Sequence, residues 1–115
     1  MPGRLDALEQ CLARRDQPPE VVSQQLGNGV LAEDSVAAAL FGFLVGAPSF
    51  REVVLAAASL GGDVDTIASM AGSLAGALGG VESIPPAWIE RLENHAKGRA
   101  YILALADRLH AVRTA

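Results

Sequence analysis

Residues 60–80 read LGGDVDTIASMAGSLAGALGG, and this stretch contains both a sharp turn and the beginning of a long helix. The two glycines after the leucine free the backbone to turn sharply. Asp63 and Asp65 follow, at the N-terminus of the next predicted helix, where the macrodipole favours negative charge. From about Thr66 to Leu78 the residues are small or apolar, and none is charged. The stretch therefore predicts a buried helix that starts at an acidic turn.

One face of this predicted helix carries almost no side chain. Ala68, Gly72, Gly76 and Gly80 are each four residues apart, so they lie on the same side of a helix. Each glycine costs about 1 kcal/mol of helix propensity relative to alanine. We therefore expect another helix to pack closely against this face and offset that cost.

The remaining segments also have helical spacing, and none alternates apolar and polar residues as a half-buried strand does. Glu33-Asp34-Ser35 is a predicted cap for a helix that begins at Val36. Ser49 caps the next helix, with Glu52 three residues later in a capping-box arrangement. Together these patterns predict an all-α fold, an orthogonal bundle of about six or seven helices. The predicted helices cover approximately residues 5–12, 18–25, 36–45, 50–60, 66–78, 86–92 and 94–112.

Composition limits the class of protein. The 115 residues suit one domain, which we expect to cover residues 1–115. The net charge is −4 without a basic stripe, so we expect no nucleic-acid partner. We also expect no membrane span, because the uncharged runs at 35–50 and 66–81 fall short of about 20 apolar residues. Cys11 lies on a predicted apolar helix face, and a single cysteine is compatible with a reducing, cytoplasmic compartment.

The acidic turn is a candidate metal site. Asp63 and Asp65 offer two carboxylates, and Thr66 adds a hydroxyl oxygen. Mg²⁺ prefers oxygen ligands and commonly uses one or two carboxylates together with water. The same residues also suit a plain helix cap, because acidic side chains stabilise helix N-termini without any ion. Spacing alone leaves both interpretations open.

A second candidate is the glycine-containing turn formed by Gly27, Asn28, Gly29 and Val30. Glycines allow a ligand to approach the backbone closely, but they also simply end a helix. The turn lacks the G-x-G-x-x-G spacing and the preceding strand of a dinucleotide-binding fold, which excludes that class.

Read together, these segments resemble the C-terminal part of the ADP-ribosyl glycohydrolase family, which includes the dinitrogenase reductase-activating glycohydrolases. The resemblance rests on the order and separation of several elements. They are residues 26–35 (LGNGVLAEDS), residues 60–68 (LGGDVDTIA), the Ala-Gly pairs at 71–72 and 75–76, Ile84-Pro85 and Trp88.

The resemblance implies an all-α, Mg²⁺-dependent hydrolase with a two-metal site, in which Mn²⁺ replaces Mg²⁺ in some members. The family motif maps the metal ligands onto Asp63, Asp65 and Thr66. It maps the ADP-ribose contacts onto Gly27, Asn28, Gly29 and Val30. The implied reaction hydrolyses the bond at ribose C1″ of an ADP-ribosylated protein or a small ADP-ribose conjugate.

The resemblance also marks what the chain lacks. Family members carry an acidic cluster in an N-terminal half, and nothing upstream of Leu26 matches it. The catalytic residues are therefore unknown, and we expect the chain to need a complementary half or to self-associate. Two alternatives stay open: a non-catalytic remnant or module that binds ADP-ribose or metal, and a helical interaction bundle unrelated to nucleotides.

Overall fold

Every regular element in the computed structural model, which describes residues 2–114, is a helix. This confirms the all-α prediction, and seven α-helices in the described residues agree with the expected number. A short 3₁₀ turn, Val81–Ser83, follows the fifth of them. The α-helices are α1 (Pro2–Ala13), α2 (Pro19–Leu26), α3 (Ala32–Gly46), α4 (Phe50–Ala58), α5 (Val64–Gly79), α6 (Pro86–Arg91) and α7 (Arg99–Thr114).

The helices fall into two compact units, Met1–Ile84 and Pro85–Ala115. The first unit contains α1 to α5, and the second contains α6 and α7. The buried hydrophobic core lies within the first unit, whereas α7 buries none of its described residues. The expectation of one domain over residues 1–115 stays a prediction. No helix within residues 2–114 has the length and apolar character to cross a bilayer.

The core of the first unit is built around α3, which packs against α1, α2, α4 and α5. Its buried side chains are mostly alanines and medium-sized aliphatic residues, as the low aromatic content predicts. Cys11 is fully buried among them, in agreement with its predicted place on an apolar face. The largest fully buried side chains are Leu26, Ile67, Val22, Val53 and Cys11.

Helices α3 and α4 approach each other closely, backbone to backbone. A Cβ atom added at Gly42 would lie 2.9 Å from the Cα of Ala57, and one at Gly46 would lie 2.6 Å from the Cα of Val53. The small-residue face of α5 is less crowded, because a Cβ at Gly72 would meet only side-chain atoms, at 3.6 Å and beyond. The tightest contact between helices therefore lies at glycines that the four-residue spacing in α5 does not identify.

The starts of α3 and α7 differ most from the sequence prediction, and one predicted cap agrees with it. Helix α3 begins at Ala32, so the predicted capping residues 33–35 lie in its first turns. Asp34 pairs with a distant arginine instead of capping the helix. Helix α7 begins at Arg99, because residues 94–98 form a turn before it. The predicted cap is confirmed at α4, where the Glu52 amide donates to the Ser49 hydroxyl at 3.2 Å.

The close packing of α3 against α4 leads to a prediction about the stability of the fold. Gly46→Ala is expected to lower the free energy of unfolding by about 1–3 kcal/mol, because its methyl group has no space against α4. The matched control is Gly76→Ala, whose methyl group would meet Phe50 at an ordinary 3.9 Å. Urea unfolding followed by circular dichroism should show the control as stable as the parent or more so. Equal losses in both variants would contradict the packing described.

Candidate metal and nucleotide site

Two turns from distant parts of the sequence meet in the first unit. The glycine turn, residues 27–30, follows the end of α2, where the Gly27 amide donates to the Ser23 carbonyl at 2.8 Å. The acidic turn, residues 61–66, connects α4 to α5. Gly27, Gly61 and Gly62 have φ values of 84°, 73° and 65°, which side-chain-bearing residues rarely adopt. Glycines are therefore required for both turns to have these shapes.

Asn28 joins the two turns directly. Its side-chain amide donates to the Leu60 carbonyl at 2.7 Å. Its backbone carbonyl accepts from the Asp63 amide at 2.8 Å. Gly62 is also in close contact with this residue, because an added Cβ would lie 2.5 Å from the Asn28 Cγ atom. The predicted metal-binding and substrate-binding segments are thus neighbours in the fold. The spacing of their residues along the sequence could not show this.

The acidic turn leads into α5 with Asp63 at the N-cap position. Its side chain makes no capping hydrogen bond, so the plain-cap interpretation does not account for this carboxylate. Its backbone is held on both sides, because its carbonyl also accepts from the Ile67 amide at 3.0 Å. Asp65 accepts from the Thr66 amide at 3.0 Å through its own carboxylate. Asp65 and Thr66 are exposed, and Asp63 is half-buried.

The two carboxyl groups of the acidic turn interact. A side-chain hydrogen bond with Asp63 lowers the pKa of Asp65 below its ordinary value, and the Thr66 amide lowers it further. Asp65 is therefore ionised at neutral pH and accepts hydrogen bonds. Two adjacent carboxylates repel each other unless a proton or a cation lies between them.

The oxygen ligands that the acidic turn offers suit a hard cation, but they are few. Across residues 2–114, no three His, Cys, Asp or Glu side chains converge in a group that could hold a metal ion. Two carboxylates and one hydroxyl nevertheless match the manner in which proteins bind Mg²⁺, which keeps several of its waters. The described residues therefore fit one side of a Mg²⁺ site.

The predicted substrate-binding residues differ in their surroundings. Gly27, Asn28 and Gly29 are half-buried, because they pack against other parts of the first unit. Val30 is 82% exposed at the end of the turn. It therefore offers an apolar side chain beside the backbone of the glycine turn.

A supporting ion pair beneath the glycine turn was not predicted. The Arg4 guanidinium of α1 lies 2.6 Å from the Asp34 carboxylate of α3. That carboxylate lies against the turn, since a Cβ at Gly27 would be 2.5 Å from one oxygen and one at Gly29 would be 3.3 Å from the other. The sequence gives no signal for this pair, because thirty residues separate its members and only helix packing brings them together.

Comparison with known proteins identifies the family. Residues 3–115 match the model of the ADP-ribosylglycohydrolase family, and the chain therefore belongs to that family. Among its relatives is ADP-ribosylhydrolase ARH3 from Bos taurus, 34% identical over 120 residues that cover 96% of this chain and 32% of the relative. The Gallus gallus protein of the same name is 38% identical over 100 residues, 78% of this chain and 27% of the relative.

A bacterial relative matches a shorter stretch. ADP-ribosylarginine hydrolase Tri1 from Pseudomonas putida is 48% identical over 44 residues, which cover 38% of this chain and 12% of the relative. No solved structure matches the chain. The chain spans about a third of the length of the ARH3 relatives.

The ion pair beneath the glycine turn makes a testable contribution to stability. Asp34→Ala is expected to lower the free energy of unfolding by about 2 kcal/mol, because it leaves the partly buried Arg4 without its acceptor. The neighbouring exposed residue gives the control, Glu33→Ala, which should change stability by less than about 0.5 kcal/mol. Guanidinium unfolding measures both, and indistinguishable midpoints would contradict a supporting role.

Proposed function

We propose that this chain supplies the metal-binding and ribose-binding side of a Mg²⁺-dependent ADP-ribosyl hydrolase. The observation that carries the proposal is the contact between the two turns through Asn28. That contact makes the segment with the two aspartates a neighbour of the glycine-rich backbone. A ligand that combines sugar hydroxyls with a diphosphate needs both kinds of surface.

The acidic turn is proposed to hold the cation. Asp63 and Asp65 would be its anionic ligands and Thr66 a neutral one, and Mn²⁺ suits the same oxygens. When bound, the ion would polarise the ribose hydroxyls and stabilise charge during hydrolysis. Asp63 can act as a well-placed ligand because its backbone is fixed by hydrogen bonds on both sides. Asp65 carries a full negative charge at neutral pH, as an exposed aspartate ordinarily does.

The glycine turn is proposed to line the ADP-ribose site. Its glycines carry no side chains that would keep a ligand away from the backbone. Val30, exposed at the end of the turn, would lie beside the ribose. Asp34 lies on the inner side of the turn and so does not present its charge to an anionic diphosphate.

We propose that the rest of the catalytic site comes from additional polypeptide. The chain spans about a third of its ARH3 relatives, and its described residues supply only part of a metal site. The acidic cluster that the family resemblance implies would come from a preceding segment or from a separate chain. The cytoplasmic location expected from the single cysteine stays a prediction.

An apolar groove in the first unit is the proposed contact surface for that polypeptide. The groove between α3 and α5 has a volume of about 440 Å³ and is lined mainly by apolar side chains. A second depression of about 460 Å³ adjoins it and shares Val36. Exposed apolar area of this kind marks interaction surfaces. The groove is lined by Val36, Ala39, Leu40, Met70, Ser73 and Leu74.

A second candidate function is binding without catalysis. The described residues contain a pair of carboxylates and a glycine turn, but no group of three metal-binding side chains. A chain with only these groups could bind ADP-ribose or Mg²⁺ weakly without catalysing hydrolysis. Activity in the presence of complementary polypeptide distinguishes the two candidates.

The metal assignment predicts the effect of neutralising each aspartate. Asp63→Asn and Asp65→Asn should each weaken Mg²⁺ binding at least about tenfold in titration calorimetry, because each removes an anionic ligand. Asp16→Asn is the control, because this exposed aspartate lies in the turn after α1. It should bind Mg²⁺ as the parent does. Identical heats for all four proteins would remove the metal assignment.

The catalytic proposal predicts complementation. This chain, mixed with the part of the Bos taurus relative that lies outside the matched region, should release ADP-ribose from an ADP-ribosylated substrate. Neither component should do so alone, because each lacks ligands that the other carries. Leu74→Glu should abolish the effect, because it places a charge in the apolar groove.

A surface control completes this experiment. Leu5→Glu introduces the same charge at an exposed leucine on α1 that does not line the groove. It should leave complementation unchanged. Equal loss in both variants would show that the groove is not the contact surface, and no release in any mixture would favour the binding-only candidate.

A further inference from the structure

Asn28 makes contacts beyond those that are needed to end α2. Its side chain reaches the Leu60 carbonyl, beyond the end of α4, at 2.7 Å. Its backbone carbonyl accepts from the Asp63 amide at 2.8 Å. One residue of the glycine turn therefore holds the acidic turn at two points, one on each side of its paired glycines.

The contact leaves no room for the two turns to move closer together. Gly62 lies so close that an added Cβ would be 2.5 Å from the Asn28 Cγ atom and 2.8 Å from its Oδ1 atom. Gly61 is slightly further away, and its Cβ would lie 3.7 Å from Nδ2. The side chain of Asn28 thus fills the concave side of the acidic turn.

The neighbours of Asn28 are also held in place. Gly27 is fixed by its hydrogen bond to α2 and by the Asp34 carboxylate packed against it. Asp63 is fixed at its carbonyl by the first hydrogen bond of α5. Asn28 therefore connects two anchored segments, and its side chain is the one link from the glycine turn to Leu60 that the described hydrogen bonds contain.

We infer that Asn28 is a positioning residue that holds the Asp63 carboxylate in register with the glycine turn, so that the two halves of the site bind their ligands as one unit. This inference rests on the proposed function. Its physical basis is that a ligand touching both turns binds more tightly when their separation is fixed before it arrives. The Asn28 side chain would act through Asp63 and would not itself hold the ion.

Two variants separate positioning from direct binding. Asn28→Ala removes the hydrogen bond to Leu60 but retains the backbone carbonyl that accepts from Asp63. Gly62→Ala removes no polar group, but its methyl group must displace Asn28, and its φ of +65° is strained for alanine. The matched control is Gly72→Ala, whose methyl group would meet Val54 at an ordinary 3.6 Å.

The experiment has one readout that requires no ligand. Hydrogen exchange of the Asp63 amide, followed by NMR on the full chain, should be about tenfold faster in Asn28→Ala, while amides in the centre of α3 keep their rates. Titration calorimetry with Mg²⁺ and with ADP-ribose should show both affinities about tenfold weaker in Asn28→Ala and in Gly62→Ala. Gly72→Ala should match the parent in every measurement.

The outcomes distinguish this inference from the proposed function. Faster exchange with both affinities unchanged would reduce Asn28 to a structural residue and overturn the inference. Unchanged exchange at Asp63 would overturn it without any ligand measurement. A parent chain that binds neither ligand would remove the proposed function and with it the positioning role. Should Gly62→Ala fail to fold, Asn28→Ala decides the question alone.

Discussion

The backbone hydrogen bond from Asp63 to Asn28 is the interaction on which the candidate site depends. It joins the turn after α2 to the turn before α5, and α3 packs against both of these helices. The side-chain bond from Asn28 to Leu60 reinforces it. If the helices packed differently, the acidic and glycine turns would be two unrelated helix ends.

The glycines of this chain meet two different physical requirements. Gly27, Gly61 and Gly62 adopt positive φ, so they are needed for the shape of the turns. Gly42 and Gly46 have no such φ, but they allow α3 and α4 to approach backbone to backbone. The same residue type thus forms the site in one place and brings together the helices that support it in another.

The sequence predicted the all-α fold class correctly, whereas the roles of the candidate site residues stay predictions and their connections could not be predicted. Helical spacing and caps such as Ser49 depend only on residues close together in the sequence. They can therefore be predicted from the sequence alone. The start of α3 was placed too late, because Asp34 belongs to an ion pair with Arg4 and not to a cap. Contacts between segments thirty residues apart leave no periodic pattern, so neither this pair nor the Asn28 bridge could be predicted.

The position of the two carboxylates supports the proposed metal site. Asp63 occupies an N-cap position yet makes no capping bond, so its oxygens stay available to a ligand. Its backbone bonds hold it in place without using the carboxylate. Asp65 lies two residues further along the chain, so the half-buried Asp63 and the exposed Asp65 place two carboxyl groups at the start of α5. Like charges this close favour a cation, and the helix dipole alone gives only a modest and easily screened compensation. In the proposed function this turn would hold the ion, and the chain spans about a third of the length of its ARH3 relatives.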